Sequence, residues 1–261
     1  MAFIDTHCHL QDPRLCGGLD GVLQRARAAG VIGLVVCGTS ESDWGAVLAL
    51  ASGNPGIVPM LGLHPWYVQG ARPGWEGRLG ERLLESGAGL GECGLDFAVA
   101  DADRGAEELA FRAQVRLACE LDRPLSIHCR KAWDVLARIA REEGLPAAGA
   151  VIHAFGGSAE TAQELQELGF HLAFSCSIAN PANRRAAQVL PVVRAQRLLL
   201  ETDAPDLPPR HLEGWDPEAP NEPANLPLVA KAAARLRNEP LESVERLTCE
   251  NSLRLFKRWL A

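Results

Sequence analysis

The sequence lacks any run of 18 apolar residues, which excludes a membrane-spanning helix. Its opening, MAFIDTHCHL, has neither a basic start nor a long apolar stretch. No secretory signal is therefore expected, and the chain is assigned to the cytoplasm. The eight cysteines (8, 16, 37, 93, 119, 129, 176 and 249) contain no C-x-x-C pair, which excludes a zinc knuckle and a thioredoxin-type motif. They are read as free thiols in a reducing compartment. There is no G-x-S-x-G elbow, so a serine-hydrolase triad has no anchor. Positive charge is short as well: 26 Lys+Arg stand against 33 Asp+Glu, a net −7. That excludes a surface coating nucleic acid throughout and a polybasic membrane binder, but leaves room for a local basic groove. No internal repeat and no low-complexity tract is present. The remainder is ordinary, with 47% apolar and 23% charged residues, so neither disorder nor a coiled coil fits. A length of 261 residues suits a single domain over 1–261.

Short apolar runs alternate with helical patterns along the whole chain. The runs predict strands at Phe3–His7, Gly33–Cys37, Ile57–Leu63, Gly89–Cys93, Pro124–His128, Ala150–His153, His171–Phe174 and Arg197–Glu201. The clearest helix is Ala106–Leu121, where Ala106, Leu109, Ala110, Ala113, Leu117, Ala118 and Leu121 share one face of a 3.6-residue period. Leu19–Ala29, Asp43–Ala51, Trp75–Ser86, Ala132–Glu143, Ala159–Leu168 and Arg184–Leu190 are shorter versions, and Glu222–Leu236 and Leu241–Leu260 close the chain. Eight strands, each followed by a helix or long loop, predict an α/β fold of the closed parallel (β/α)8 type, with an open doubly wound sheet as the alternative. Pro205–Pro223 breaks the pattern with six of the chain's 17 prolines, and also holds Arg210, His211 and Trp215. Such density forbids helix and central strand. After the eighth strand it lies at the C-terminal face of a barrel, as a rigid surface loop or as a wall of the substrate pocket.

Polar residues fall at the ends of these strands. His7 and His9 form H-x-H after the first run, and strand alternation points both imidazoles to one side. Glu92 closes the fourth run, His128 the fifth, His153 the sixth, and Asp203 follows the eighth. One histidine at a strand end is most simply structural. Four histidines and two carboxylates at one barrel mouth are a metal site. Six N/O ligands without thiolate suit Zn2+, Mn2+, Mg2+ or Fe2+, and are enough for two ions if a carboxylate bridges. Cys8, Cys93 and Cys129 adjoin these ligands and should point the opposite way, as small buried hydrophobes. Cys176 has no assignment. Gly89-Leu-Gly-Glu-Cys-Gly94 matches the dinucleotide G-x-G-x-x-G, but Glu92 would face the pyrophosphate and no helical pattern follows until Ala106.

The motifs that carry these residues are D-T-H-C-H-L at 5–10, G-L-H-P at 62–65, G-E-C-G-L-D at 91–96, I-H-C-R-K-A at 127–132, H-A-F-G-G at 153–157 and E-T-D-A-P at 201–205. With N-E-P-A-N-L at 221–226 and N-S-L-R-L-F at 251–256, they resemble the TatD family of metal-dependent deoxyribonucleases over essentially the whole chain. The length and the E-T-D-A-P-D-L-P stretch are most similar to a shorter bacterial branch of generic metal hydrolases. The resemblance implies a TIM barrel of the metallo-dependent hydrolase superfamily with a two-metal site. Carried over, His7, His9 and Asp203 hold one ion, His128 and His153 the other, and Glu92 bridges. His64 becomes a substrate or transition-state contact rather than a ligand. Related amidohydrolases bridge with a carboxylated lysine. Glu92 stands there, and the only lysines are Lys131, Lys231 and Lys257, so that chemistry is not available at this position. The N-E-P at Asn221 lacks the arginine that often precedes it in the family.

These readings imply a hydrolase of ester bonds using two divalent ions (Mg2+, Mn2+ or Zn2+), with Asp203 as general base and Glu92 holding the ions together. His64 and Arg130 would hold a phosphate, Arg130 through its bidentate fork. The leading expectation is a 3′-5′ exonuclease on single-stranded DNA or RNA ends, with Trp215 offering a surface on which a terminal base stacks. The alternatives are another esterase, such as one removing D-amino acids from tRNA, and a catalytically silent interaction barrel. No membrane and no obligate protein partner is indicated.

Overall fold

The computed structural model describes residues 2–212, 215–216 and 218–260; residues 213, 214 and 217 of the proline-rich segment lie outside them. Eight parallel strands form one sheet in chain order: β1 (Phe3–Cys8), β2 (Val31–Cys37), β3 (Ile57–Leu61), β4 (Gly89–Asp96), β5 (Leu125–Arg130), β6 (Ala150–Ile152), β7 (His171–Phe174) and β8 (Leu198–Leu200). The helices are α1 (Pro13–Cys16), α2 (Leu19–Ala28), α3 (Trp44–Gly53), α4 (Trp75–Ser86), α5 (Arg104–Leu121), α6 (Trp133–Glu143), α7 (Ala159–Glu167), α8 (Arg184–Val189), α9 (Leu226–Arg237) and α10 (Leu241–Leu260). Consecutive parallel strands need a crossover between them, and the helices supply it, which rules out the doubly wound order. No helix among the described residues is long and apolar enough to cross a membrane.

The (β/α)8 expectation holds, with local differences. α1 is a single turn capped by the Asp12 side chain, too short to leave a periodic signal. Glu222–Leu236 begins instead as a 3-10 turn, Pro223–Asn225, and α9 starts only at Leu226, where Pro227 takes a first-turn position. The fourth strand does not end at Glu92 or Cys93. It runs on to Asp96, with a register shift between Leu90 and Cys93 against β5. The glycines permit this. Gly91 and Gly94 have φ of +157° and +138°, and a Cβ on Gly94 would lie 1.9 Å from the His128 carbonyl. The G-x-G-x-x-G lookalike is thus a close strand–strand approach that carries Glu92 into the barrel.

Alternate strand residues separate two apolar clusters. Leu34, Val36, Leu61, Ile127, Ile152, Leu172 and Leu200 pack outward with helix residues such as Val22, Val47, Leu79, Val115 and Leu165. Val35, Val58, Met60, Val151, Ala173 and Leu199 form a smaller cluster with Leu255 and Phe256, against which Trp259 and Leu260 pack. The end of α10, which bends at Phe256, therefore closes the lower mouth of the barrel. The upper mouth stays polar.

The barrel closes just past its last strand. Asp203 donates its backbone N–H to the His7 carbonyl at 3.0 Å, and His9 donates to the Ala204 carbonyl at 2.7 Å. Cys8 and Ala204 form an isolated parallel bridge.

Candidate metal centre

The histidines and carboxylates converge at this upper mouth around Glu92, which is buried. Its Oε2 lies 3.3 Å from His7 Nε2 and 3.4 Å from His9 Nε2. Its Oε1 lies 2.9 Å from His153 Nε2, 3.2 Å from His128 Nδ1 and 3.4 Å from His64 Nε2. Asp203 Oδ1 completes the first group, 3.8 Å from His7 Nε2 and 3.7 Å from His9 Nε2. Each oxygen of one carboxylate therefore faces its own set of imidazole nitrogens. Three clusters of potential ligand atoms arise: His7, His153 and Asp203; His7, His9 and Glu92; and His64, Glu92 and His128.

Hydrogen bonds on the far side of the ring fix which nitrogen is free in His9, His128 and His64. His9 Nδ1 donates to the Cys37 carbonyl at 2.8 Å, because a carbonyl only accepts. A neutral His9 then carries a lone pair at Nε2, aimed at two carboxylates and at His7 Nε2 only 3.2 Å away. Lone pairs facing carboxylate oxygens repel unless a cation sits between them, so this donor set fits divalent ions. His128 Nε2 bonds Asp96 Oδ2 at 3.2 Å and leaves Nδ1 toward Glu92. His7 Nδ1 bonds Ser126 Oγ at 2.9 Å, and His153 Nδ1 faces Glu201 Oε1 at 3.5 Å. His64 is wired the other way. Its Nδ1 accepts from the Trp66 backbone N–H at 3.2 Å, so a neutral His64 holds its proton on Nε2, the nitrogen that faces Glu92.

Electrostatics follow from packing. Burial alone would raise Glu92, but His153, His64 and His7 outweigh it and hold the carboxyl well below the usual range. Burial pushes Asp203 well above the usual range, against a partial pull from His153. Burial lowers His7 and His64. His153, although buried, is raised by Glu92 and Glu201. For Asp96, burial is overcome by hydrogen bonds from His128 and Trp66, and its carboxyl is held low.

All six expected ligands and His64 thus meet at one place. Arg130 stands beside them, with Nη1 3.3 Å from Asp96 Oδ2 and its side chain 55% exposed. Cys8, Cys93 and Cys129 are buried in the outward cluster, and burial raises all three thiols. Cys176 is buried with Asn221 Nδ2 at 3.8 Å. Asn221 itself is a buried corner: its side chain donates to the Thr202 carbonyl at 2.8 Å and accepts from Asn225 at 2.8 Å.

Residues not singled out from sequence support the cluster from behind. Ser126 and Asp96 hold imidazoles, Glu201 flanks His153, and Asp5 accepts from the Thr202 N–H at 2.9 Å beside Asp203. A signal existed. Ser126, Glu201 and Asp5 each stand two residues before a proposed ligand, and Asp96 four after Glu92, which are the positions strand alternation returns to the same side. Asp96→Ala is expected to weaken metal binding by about 10- to 100-fold, as loss of an imidazole's outer partner does in metal sites. Metal titration followed by calorimetry checks it, and unchanged affinity would show that His128 needs no such partner.

The chain is similar to known proteins over nearly its whole length. Residues 4–257 match the family model described as TatD related DNase. The metal-dependent hydrolase YjjV of Escherichia coli (strain K12) is 32% identical over 257 residues, covering 97% of each chain. The crystal structure of YjjV superposes with a TM-score of 0.92 over 98% of both chains. The protein named 3′-5′ ssDNA/RNA exonuclease TatD of Edwardsiella piscicida is 33% identical over 258 residues, 97% of this chain and 99% of its own. Identity at this level over nearly the full length, with the ligand cluster in place, settles the kinship: the chain belongs to the TatD family of metal-dependent hydrolases.

Proposed function

We propose that the chain, as one domain over 1–261 in the cytoplasm, is a two-metal 3′-5′ exonuclease acting on the ends of single-stranded DNA or RNA. The observation that carries it is the Glu92 carboxylate, with one oxygen toward His7 and His9 and the other toward His128 and His153. His7, His9 and Asp203 would hold one ion, His128 and His153 the other, with Glu92 common to both. When bound, divalent ions lower the pKa of water and neutralise charge that develops on a phosphoryl oxygen.

The chain's own residues do the rest. Asp203, at the cluster's edge with Oδ1 3.7 Å from His9 Nε2, is placed to take a proton from the attacking water. Nε2–H of His64 points into the cluster and can donate to a phosphoryl oxygen, the role for which its tautomer is set. Arg130, anchored at one nitrogen by Asp96 and otherwise exposed, presents the rest of its fork to the scissile phosphate. The names carried by relatives such as the Edwardsiella piscicida protein support the choice of substrate.

The test is exhaustive chelation followed by a substrate panel. Turnover is expected to vanish with the metal and to return with Mg2+, Mn2+ or Zn2+. The panel comprises labelled single-stranded oligonucleotides, a chromogenic phosphodiester and a D-aminoacyl-tRNA. Full activity after metal removal would sink the metal reading. Turnover of the aminoacyl ester alone would move the substrate away from nucleic-acid ends.

A further inference from the structure

Among the described residues, Trp66 and Tyr67 are the only exposed aromatic side chains, at 57% and 46%. Leaving such rings in water forgoes their burial, and here it happens beside the metal centre. Both follow His64-Pro65, on a 3-10 turn over Pro65–Gly70 that His64 caps. The indole stands 4.9 Å from the His64 ring and 6.3 Å from the His128 ring, centroid to centroid.

Trp66 is exposed yet held in place. Its Nε1–H donates to Asp96 Oδ2 at 2.8 Å, the same oxygen that faces His128 and Arg130. One ring edge is tied to the metal centre while much of the side chain remains in solvent. Beside it lies a cavity of about 200 Å3 lined by Pro65, Trp66, Val68, Val99, Asp101 and Asp103. That is smaller than the roughly 300–1,000 Å3 of sites for drug-sized ligands, and suits a single planar ring system. Its carboxylates repel phosphate but accept hydrogen bonds from amino groups on a base. The other candidate from sequence, Trp215, is half-buried, and its indole nitrogen is buried without a hydrogen-bond partner among the described residues.

We propose that Trp66 is the platform on which the base of the substrate's terminal nucleotide stacks, with the neighbouring cavity receiving the base edge. The phosphate then lies toward Arg130 and the metals, and the base toward the turn that carries His64. This assignment rests on the exonuclease reading and names which face of the mouth the strand occupies. Stacking on an aromatic face is tolerant of base identity, so all four bases should be accepted.

The experiment uses full-length, metal-loaded protein and two single strands that differ only in the 3′-terminal nucleotide, one normal and one abasic. The quantity read is the ratio of kcat/KM for the two. Trp66→Leu, which keeps apolar bulk without the aromatic face, should shrink that ratio by about 5- to 150-fold, the range for loss of one base–aromatic stack. Trp66→Phe should keep most of it, although it removes the bond to Asp96. A strand ending in 2-aminopurine gives a second reading: its fluorescence should be quenched on binding to the wild type and to Trp66→Phe, but not to Trp66→Leu. An unchanged ratio in Trp66→Leu, or equal quenching in all three proteins, overturns the platform while leaving the nuclease reading intact. A wild type that cleaves neither strand overturns both.

Discussion

Glu92→Ala is expected to lose metal from both halves of the centre, whereas His9→Ala loses it from one. Glu92 is the residue whose two oxygens face different imidazole sets. In the two-metal reading, removing it would leave two dications without an anion between them, and their repulsion would be about four times that of unit charges at the same separation. His9 contributes one nitrogen to one group. Turnover of Glu92→Ala should fall by at least the roughly 10²–10³-fold that removal of one oxyanion-stabilising donor costs. Metal content of the two purified variants, measured alongside wild type, decides it. Equal stoichiometry in both would mean that Glu92 does not bridge.

That Glu92 stood out before the structure has a physical reason. A buried strand reads as an apolar run, so a lone carboxylate or imidazole at its end is conspicuous. His7, His128, His153 and Asp203 were legible in the same way, and eight such runs carried the fold. What stayed hidden depends on distance in space. Strand alternation puts Ser126 and Asp96 on the ligand side, but Ser126 meets His7 across 119 residues and Asp96 meets His128 across 32, so no local pattern says which imidazole each holds. The expected strand stops at Cys93, just before Gly94, yet the missing side chain of Gly94 is what lets β4 pass the His128 carbonyl and run on to Asp96. The wiring of His64 was hidden too: its ring nitrogen caps the turn that follows, a contact seen only once the turn is built.

A second large effect concerns substrate topology. A linear single strand should shorten stepwise while a closed single-stranded circle and a blunt duplex persist. A duplex carries one charge per ~1.7 Å and needs an extended run of cations to hold it. Much of this chain's arginine is engaged elsewhere: Arg112, Arg116 and Arg138 pair with Glu108, Glu142 and Glu143 on α5 and α6. The exposed cations that follow strand ends on the side of the cluster are Arg130 and Lys131 after β5, Arg184 and Arg185 after β7, and Arg210 after β8, enough for a short groove. Glu92, His7, His128 and His153 lie buried inside the barrel rim and His9 is half-buried there, where a free end can reach and a rigid duplex cannot. The difference in rate should be about 10²-fold or more, the cost of holding reacting atoms out of position. Labelled substrates under matched metal and salt supply the measurement. Rapid nicking of the circle would show an internal cutter instead.

The seam between β1 and the residues after β8 gives the metal a second part to play. Thr202 and Asp5, joined across it, are 197 residues apart in the chain. In the reading proposed above, His7 and His9 bind from one side of this seam and Asp203 from the other. A cation there would tie the beginning of the chain to the residues just after its last strand, closing a loop whose seam partners Asp5 and Thr202 are 197 residues apart. In that reading the centre is complete only once Asp203 has been synthesised, well after His7 and His9 can meet Cys37, Glu92 and Ser126. Binding only to the closed form also adds stability in proportion to the logarithm of free metal. The amides of β1 and of residues 201–204 should therefore be the ones whose exchange with solvent quickens most when metal is scarce, while α10 goes on sealing the opposite mouth.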